Sequence, residues 1–295
     1  MTDKNLILTD APQRHLFKKL TKVFSADEHV KQVIQRGSFA KNESDRASDI
    51  DILLVVDDDA VAEVIARLGA SIGSVCTLLT AEGWVDTIVP DFGGIGYVFL
   101  VKCQERLIQL DVYITPASWS ERIHQLKEKA VLYEASGFKP RYDTLETSKA
   151  AVRVQLNNTD KEFQVIFEFL LVYVMFVKHL YRSRPTLALK YRYAMAESLA
   201  IFLRLVFVPE KIDYKMYDWD KDFRNISAPA VRKFERAIVM MDIYDFSQIV
   251  EMMSIFKTVL FETSDAHNEW YARFSPLIEE VEAYANNLLA PKYPS

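Results

Sequence analysis

Hydrophobic positions along the chain change their spacing near residue 140. Before that point, short apolar runs rich in valine, isoleucine and leucine alternate with stretches of helical period. The apolar runs predict strands at residues 30–35, 50–56, 75–79, 97–101 and 107–114. Helices are predicted at residues 11–28 and 60–68. The last two strands flank Gln104-Glu105-Arg106, so we expect a hairpin with several residues in its turn.

Beyond about residue 140 the apolar positions follow a helical period and glycines are few. Thr159, three residues before Glu162, predicts a capping box at the start of one helix, which Pro185 ends or bends. Further helices are predicted at residues 187–206, 228–241, 245–262 and 275–289. The pattern therefore indicates an α+β protein of two domains, residues 1–140 and an all-helical 141–295.

Composition narrows the class of protein. Half of the 295 residues are hydrophobic and the net charge is -5, so we expect a packed protein without a broad basic surface for nucleic acid. Cys76 and Cys103 lack metal-ligand spacing, which favours reduced, buried thiols. The apolar run 165–177 is shorter than the roughly 18 residues of a membrane span, so it predicts a buried helix. The N-terminus lacks the features of a signal peptide, so we expect a cytoplasmic protein.

Two acidic residues stand at the entry to the strand predicted at 50–56. Asp49 and Asp51 are two positions apart, and the period of a strand turns both carboxylates to one face. Neighbouring carboxylates repel each other unless a cation lies between them. Mg²⁺ prefers oxygen ligands and also binds phosphates, so this pair indicates metal-dependent phosphoryl or nucleotidyl transfer.

Gly37 and Ser38 form the second part of the pattern. Glycine permits a tight turn and close backbone approach, and serine adds a hydroxyl group before a short helical segment. A Gly-Ser pair or an Asp-x-Asp alone is more often a loop or a strand edge. Their ordered combination, followed by an apolar strand, is far more specific and predicts a phosphate-binding turn beside a metal site.

A third carboxylate, Asp111, lies within the apolar strand predicted at 107–114. An unpaired charge among apolar neighbours is costly, and metal coordination would explain it. The alternative is an aspartate exposed at the end of a strand, on the surface of the sheet. Beside the other two acids, we favour the metal ligand.

The order Gly-Ser, ten residues, Asp-Ile-Asp, an apolar strand and a later strand aspartate resembles the DNA polymerase beta nucleotidyltransferase superfamily. The resemblance covers about residues 30–115 and implies a mixed sheet with flanking helices. It also implies that Asp49, Asp51 and Asp111 bind two Mg²⁺ ions. Gly37 and Ser38 would contact the phosphates of ATP or another nucleoside triphosphate.

A second resemblance extends into the helical half. Residues 94–116 and 168–189 are similar to bacterial aminoglycoside 6-adenylyltransferases. This implies transfer of AMP from ATP to a hydroxyl group of an aminocyclitol antibiotic, with helices of the C-terminal half closing the acceptor cleft. The protein would then confer antibiotic resistance.

The helix predicted after Thr159 carries a polar stripe on an otherwise apolar surface. Six residues lie within about 40° of one line: Lys161, Gln164, Glu168, Met175, His179 and Arg182. Glu168 is a candidate base for the acceptor hydroxyl, with Lys178 or Arg182 near the phosphates. Alternatively, Glu168 pairs with a neighbouring helix and the basic residues favour the negative end of the helix dipole.

Two cations in the loop before the acids, Lys41 and Arg46, are further candidates for contacting a triphosphate, although loop charges are more often solvated. The predicted reaction is in-line attack by an acceptor hydroxyl on the α-phosphorus, with two Mg²⁺ ions about 3.5–4 Å apart and release of pyrophosphate. Two alternatives stay open: a protein acceptor, as in toxin-antitoxin nucleotidyltransferases, and a catalytically idle nucleotide-binding module.

Overall fold

The structure is a computed structural model. It describes residues 12–41, 43–86, 94–126, 128–141, 160–209, 223–239, 246–262 and 268–289. The chain divides into two compact units, Met1–Thr159 and Asp160–Ser295. All the described strands lie in the first unit and the described elements of the second unit are helices, which confirms the predicted α+β class. The boundary placed between residues 140 and 141 stays a prediction, because residues 142–159 lie outside the described ranges.

The described part of the first unit contains seven strands and four α-helices. The strands are β1 (Val30–Gln35), β2 (Ile50–Val56), β3 (Thr77–Leu78), β4 (Trp84–Asp86), β5 (Ile95–Cys103), β6 (Arg106–Pro116) and β7 (Ala130–Glu134). The helices are α1 (Pro12–Ser25), α2 (Gly37–Ala40), α3 (Val61–Gly73) and α4 (Ser120–His124). The bounds of β1 and β2 are those predicted from their apolar runs.

The strands form one mixed sheet in the order β3-β5-β6-β2-β1-β7, and β4 also pairs with β5. The pairing of β2 with β6 is parallel and the other pairings are antiparallel. Along β2, Ile50, Ile52 and Leu54 belong to the core cluster that contains α1 and α3. Leu53 and Val55 belong to a second cluster, as expected for the period of a strand.

The hairpin of β5 and β6 differs from the expectation in its turn. Cys103 pairs with Arg106, so only Gln104 and Glu105 connect the strands. Both residues have a positive φ, of 49° and 57°, as a two-residue hairpin turn of type I′ requires. The expected longer turn is wrong because this turn lacks the glycine and asparagine that usually mark it. The short strand β4 and the partly exposed strand β7 were not predicted.

The described part of the second unit contains five helices: α5 (Lys161–Tyr181), α6 (Pro185–Phe207), α7 (Pro229–Val239), α8 (Phe246–Glu262) and α9 (Asn268–Leu289). The Asp160 side chain caps α5 by accepting a hydrogen bond of 3.0 Å from the Phe163 N–H. The predicted cap, Thr159, lies outside the described residues. Pro185 is the first residue of α6, a position that tolerates its missing N–H.

Helix α5 is the central element of this unit. Of the described helices, it is the one long and apolar enough to cross a membrane by length and composition, yet most of it is buried inside the protein. Its Phe169 ring stacks on Phe256 of α8, and its Phe163 ring stacks on Phe274 of α9. The prediction of a buried core helix is confirmed.

Candidate active site

Two aspartates from distant parts of the chain lie side by side in the sheet. Asp51 is the second residue of β2, and the parallel register pairs it with Asp111 of β6. Directly paired residues on parallel strands point to the same face, and neighbouring strands are about 4.8 Å apart. Asp49 lies one residue before β2 and is half-buried. The sheet thus brings together two of the three predicted metal ligands, with the third at the start of β2.

The face that carries these acids is opposite the face that packs on α1 and α3. Ile50 and Ile52, on either side of Asp51, point into the cluster that contains those helices. Leu110 and Val112, on either side of Asp111, point into the same cluster. Alternation along both strands therefore leaves the two carboxylates on the other face.

Asp111 is buried in the middle of β6, with 8% of its surface exposed. The Gln109 side chain, two residues earlier on the same face, donates its amide N–H groups to both carboxylate oxygens, at 2.9 and 3.2 Å. The alternative of an exposed aspartate at the end of a strand is therefore wrong. Sequence reasoning missed Gln109, although its spacing of two from Asp111 was a usable signal.

Gly37 lies against the carboxylate of Asp51. Its φ is +65°, and a Cβ atom added there would lie 1.8 Å from Asp51 Oδ2. The preceding Arg36 N–H donates a hydrogen bond of 3.1 Å to the Asp51 carbonyl. Glycine is therefore required at this turn for two reasons, its backbone conformation and the space that Asp51 occupies.

The Ser38 hydroxyl follows the Gly37 turn directly. Its Oγ is buried and has no hydrogen-bond partner among the described residues. Such an atom costs free energy unless a ligand or water satisfies it. Its position directly after Gly37 suits a phosphate oxygen bound beside the acids. The helix α2 that follows is only one turn long.

The donor set suits a hard cation that a substrate helps to bind. Within the described ranges, no group of three or more His, Cys, Asp or Glu side chains is arranged to hold a metal ion. Mg²⁺, however, commonly uses one or two carboxylates and completes its shell with phosphate oxygens and water. Asp51 and Asp111 provide such a pair. A cation at Asp111 would need the amide of Gln109 to move aside.

The two loop cations differ in their surroundings. Lys41 is exposed and pairs with Glu128, and this hydrogen bond and charge raise its pKa. Its ammonium group is thus already engaged by a carboxylate. Arg46 is exposed, and its backbone carbonyl accepts a hydrogen bond of 3.1 Å from the Gln13 side chain.

The candidates of the second unit lie on α5 and at its end. Lys178 is only 2% exposed, and its Nζ lies 4.0 Å from Met175 Sδ. Arg182 follows the last residue of α5 and is half-buried. The His179 ring stacks on Tyr191 of α6, with the ring centroids 5.0 Å apart. The predicted stripe is therefore mixed in exposure, with Lys161 exposed, His179 buried and Arg182 half-buried.

Glu168 is half-buried on α5 and has no hydrogen bond or ion pair to any other described residue. Burial raises its pKa from the usual 4.5, and the negative charge of Glu197 on α6 raises it further. Among the described residues, Glu168 thus has a like charge nearby and no ion-pair partner. The alternative, in which Glu168 pairs with a neighbouring helix, is not supported by these residues. A carboxyl group with a raised pKa is a better proton acceptor at neutral pH.

Comparison with known proteins identifies the first unit. Residues 17–146 match the family model described as the nucleotidyltransferase domain. The chain carries a nucleotidyltransferase domain. The protein is accordingly a transferase enzyme, as predicted from the spacing of Gly37-Ser38 and the acids. No curated protein matches the sequence significantly.

Two solved structures are also similar to the chain, at low identity. The aminoglycoside 6-adenyltransferase from Bacillus subtilis is 12% identical, with 94% of this chain and 98% of that chain covered and a TM-score of 0.32. A nucleotidyltransferase-like protein from Exiguobacterium sibiricum 255-15 is also 12% identical, with coverages of 95% and 91% and a TM-score of 0.24. The assignment of the nucleotidyltransferase domain rests on the family model.

Replacing Gly37 tests whether the close approach to Asp51 is needed. Gly37→Ala is expected to lower the free energy of unfolding and to reduce nucleotidyl transfer, because its Cβ displaces the Asp51 carboxylate. Gly137→Ala is the matched control, since Gly137 also has a positive φ, of 76°, but no atom within 4 Å of the added Cβ. The control should cost about 1–2 kcal/mol from the left-handed backbone alone. Equal losses of stability and activity in both variants, measured by urea unfolding and transfer assays, would contradict the proposed contact.

The raised pKa of Glu168 makes stability depend on pH. The folded protein favours the protonated carboxyl group of Glu168 over the ionised one. The stability that the protonated group contributes is therefore lost as the pH rises through the raised pKa. Glu168→Gln is therefore expected to unfold at higher urea concentration than the wild type at pH 8. The difference should vanish below pH 4.5, the usual pKa of a glutamate. Glu197→Gln, at an exposed position, should give a smaller gain, and a less stable Glu168→Gln at pH 8 would refute this assignment.

Proposed function

We propose that the protein transfers a nucleoside monophosphate, with AMP from ATP as the first choice, to a hydroxyl group of a small molecule. One observation carries the proposal: the Gly37 turn packs on Asp51, and Asp51 lies beside Asp111 on one face of the sheet. This arrangement occurs inside a nucleotidyltransferase domain. A phosphate-binding turn next to paired carboxylates is what nucleotidyl transfer requires.

The residues of the first unit would divide the work of binding the triphosphate. Gly37 lets the backbone approach the phosphates closely, and the unpaired Ser38 hydroxyl would donate to a phosphate oxygen. Asp51 and Asp111, with Asp49 at the start of the strand, would hold Mg²⁺, of which the family pattern implies two ions. When bound, Mg²⁺ neutralises charge on the phosphates and stabilises the attacking and leaving oxygens.

The acceptor hydroxyl must lose its proton when it attacks the α-phosphorus. Glu168 would accept the proton of the attacking hydroxyl, because its raised pKa suits a general base and the described residues provide no cation to neutralise it. The sequence resemblance to aminoglycoside 6-adenylyltransferases favours an aminocyclitol antibiotic as acceptor. Such a polycationic molecule would be attracted by the two acids Glu168 and Glu197. Lys178 and Arg182 remain proposed contacts of the phosphates.

The acceptor class can be tested with α-labelled ATP and Mg²⁺ in the presence of aminocyclitol antibiotics and of total cell protein. Label in the small-molecule fraction together with released pyrophosphate would support the proposal. Label in the protein fraction instead would support a protein acceptor. Binding of ATP without transfer to any acceptor would support an idle nucleotide-binding module.

Replacing Asp51 tests the catalytic pair directly. Asp51→Asn is expected to reduce transfer by roughly three orders of magnitude, because a metal ligand supplies several kcal/mol of charge stabilisation in the transition state. Asp59→Asn is the matched control, since Asp59 is an exposed aspartate three residues after β2. Circular dichroism should show that both variants are folded. Transfer by folded Asp51→Asn at the rate of the control would overturn the proposal.

Replacing Ser38 separates ligand binding from folding. Ser38→Ala is expected to weaken triphosphate binding by about tenfold, with little change in stability, because its hydroxyl has no partner among the described residues to lose. Ser120→Ala should show the reverse: its Oγ donates to the Ala117 carbonyl and accepts from the Arg141 N–H, so its loss costs stability alone. Calorimetric titration with the triphosphate and urea unfolding measure the two effects. If Ser38→Ala destabilises the protein as Ser120→Ala does, the hydroxyl is structural.

A further inference from the structure

A cavity lies in the first unit, between α1 and the edge of the sheet. Its volume is about 430 Å³, within the range of small-molecule sites. Helix α1 provides one wall, and Gln35 of β1, Phe39 of α2 and Leu132 of β7 provide the others. None of the residues that line it is a predicted catalytic residue.

The charged residues among the described lining of this cavity are both basic. Arg14 and Lys18 lie four residues apart on α1, one helical turn from each other, and both line the cavity. Neither forms an ion pair or a side-chain hydrogen bond within the described part of the chain, and no acidic residue is among those that line the cavity. Two cations that face a cavity without a counter-charge favour an anionic ligand.

The remaining walls are largely apolar. Phe17 and Phe39 are buried in the core cluster that contains α1 and α3, and their rings line the cavity. Leu132, which also lines it, is 40% exposed. An aromatic or branched apolar group would bury surface against these three side chains. The Gln35 amide adds a donor and an acceptor at the same wall.

The cavity is separate from the acids but adjacent to their turn. Phe17 and Phe39 pack in the cluster with Ile50 and Ile52, whose side chains point to the opposite face from Asp51. A triphosphate bound at Asp51 would therefore lie on the other side of the sheet. Gln35 and Phe39 are each two residues from Gly37, one before it and one after it.

We propose that this cavity is a second binding site, for a small organic anion in which a phosphate, sulfonate or carboxylate group is joined to an aromatic or branched apolar group. Arg14 and Lys18 bind the anionic group, and Phe17, Phe39 and Leu132 bind the apolar group. The positive charge excludes a polycationic acceptor from this site. The site does not depend on the proposed acceptor, because its ligand class follows from its own walls.

The test uses the full chain and the fluorescent probe 1-anilinonaphthalene-8-sulfonate, which combines a sulfonate with aromatic rings. The double variant Arg14→Gln/Lys18→Gln is expected to weaken binding of the probe by about tenfold, since two charge contacts are lost. The matched control is Lys19→Gln/Lys22→Gln, which removes two exposed charges from the same helix but none from the cavity. The control should retain affinity within twofold.

Three further measurements complete the test. Phenyl phosphate should displace the probe, whereas phenol and inorganic phosphate should displace it poorly. Leu132→Trp, at a partly exposed position, should fill the cavity and block the probe. Nucleotidyl transfer by Arg14→Gln/Lys18→Gln should keep the KM of the wild type for the triphosphate.

The outcomes separate this site from the catalytic one. Equal loss of probe binding in the two double variants would mean that only the net charge of α1 matters, and would overturn the proposal. Retained probe binding in Arg14→Gln/Lys18→Gln would overturn it as well. A raised KM in that variant would mean that the cavity is part of the triphosphate site. Asp51→Asn is expected to lose transfer but to bind the probe with the affinity of the wild type. Failure of the second binding site can therefore be distinguished from failure of the proposed function.

Discussion

The parallel pairing of β2 with β6 is the constraint on which the candidate active site depends. Every other pairing among the described strands is antiparallel, and the pairing of β2 with β6 sets Asp51 and Asp111 side by side. A shift of the register by one residue would turn one of the two carboxylates to the helix-packed face. The apolar residues that alternate with the acids prevent such a shift, because Ile50, Ile52 and Leu110 are buried in the core. The core of the sheet thus determines the position of the acids.

Paired carboxylates beside a buried core are costly, and the structure accommodates the two acids in different ways. Both oxygens of Asp111 accept hydrogen bonds from the buried Gln109, so this charge is solvated by the protein. Asp51 lies against Gly37, which has no Cβ atom to collide with its carboxylate. The Gln109 amide stabilises one carboxylate before any cation binds, and the glycine lets the turn approach the other closely. A cation at Asp111 would compete with an amide that occupies the same oxygens.

Much of the first unit could be predicted from local patterns. The bounds of β1 and β2 follow from apolar runs. Spacing and residue chemistry predict a site at Gly37, Ser38 and the three aspartates, and the roles of these residues stay predictions. The parts that could not be predicted depend on contacts between distant residues. The ion pair of Lys41 with Glu128 joins segments far apart in the chain. The two cations of α1 indicate a binding site only together with Leu132 of β7, which lines the same cavity. The tight hairpin turn was missed because Gln104 and Glu105 are unusual residues for a positive φ.

Asp51 and Asp111 are sixty positions apart in the chain, and the strand pairing that joins them is among the non-local contacts of the fold. A pairing between distant strands costs loop-closure entropy before its hydrogen bonds and packing contacts form, so such pairings tend to form late in folding. A partly folded chain that has formed α1, β1 and β2 would contain the Gly37 turn and two of the acids without the third. Binding of a ligand that needs both strands would therefore report on completed folding, and would stabilise the closed sheet by mass action.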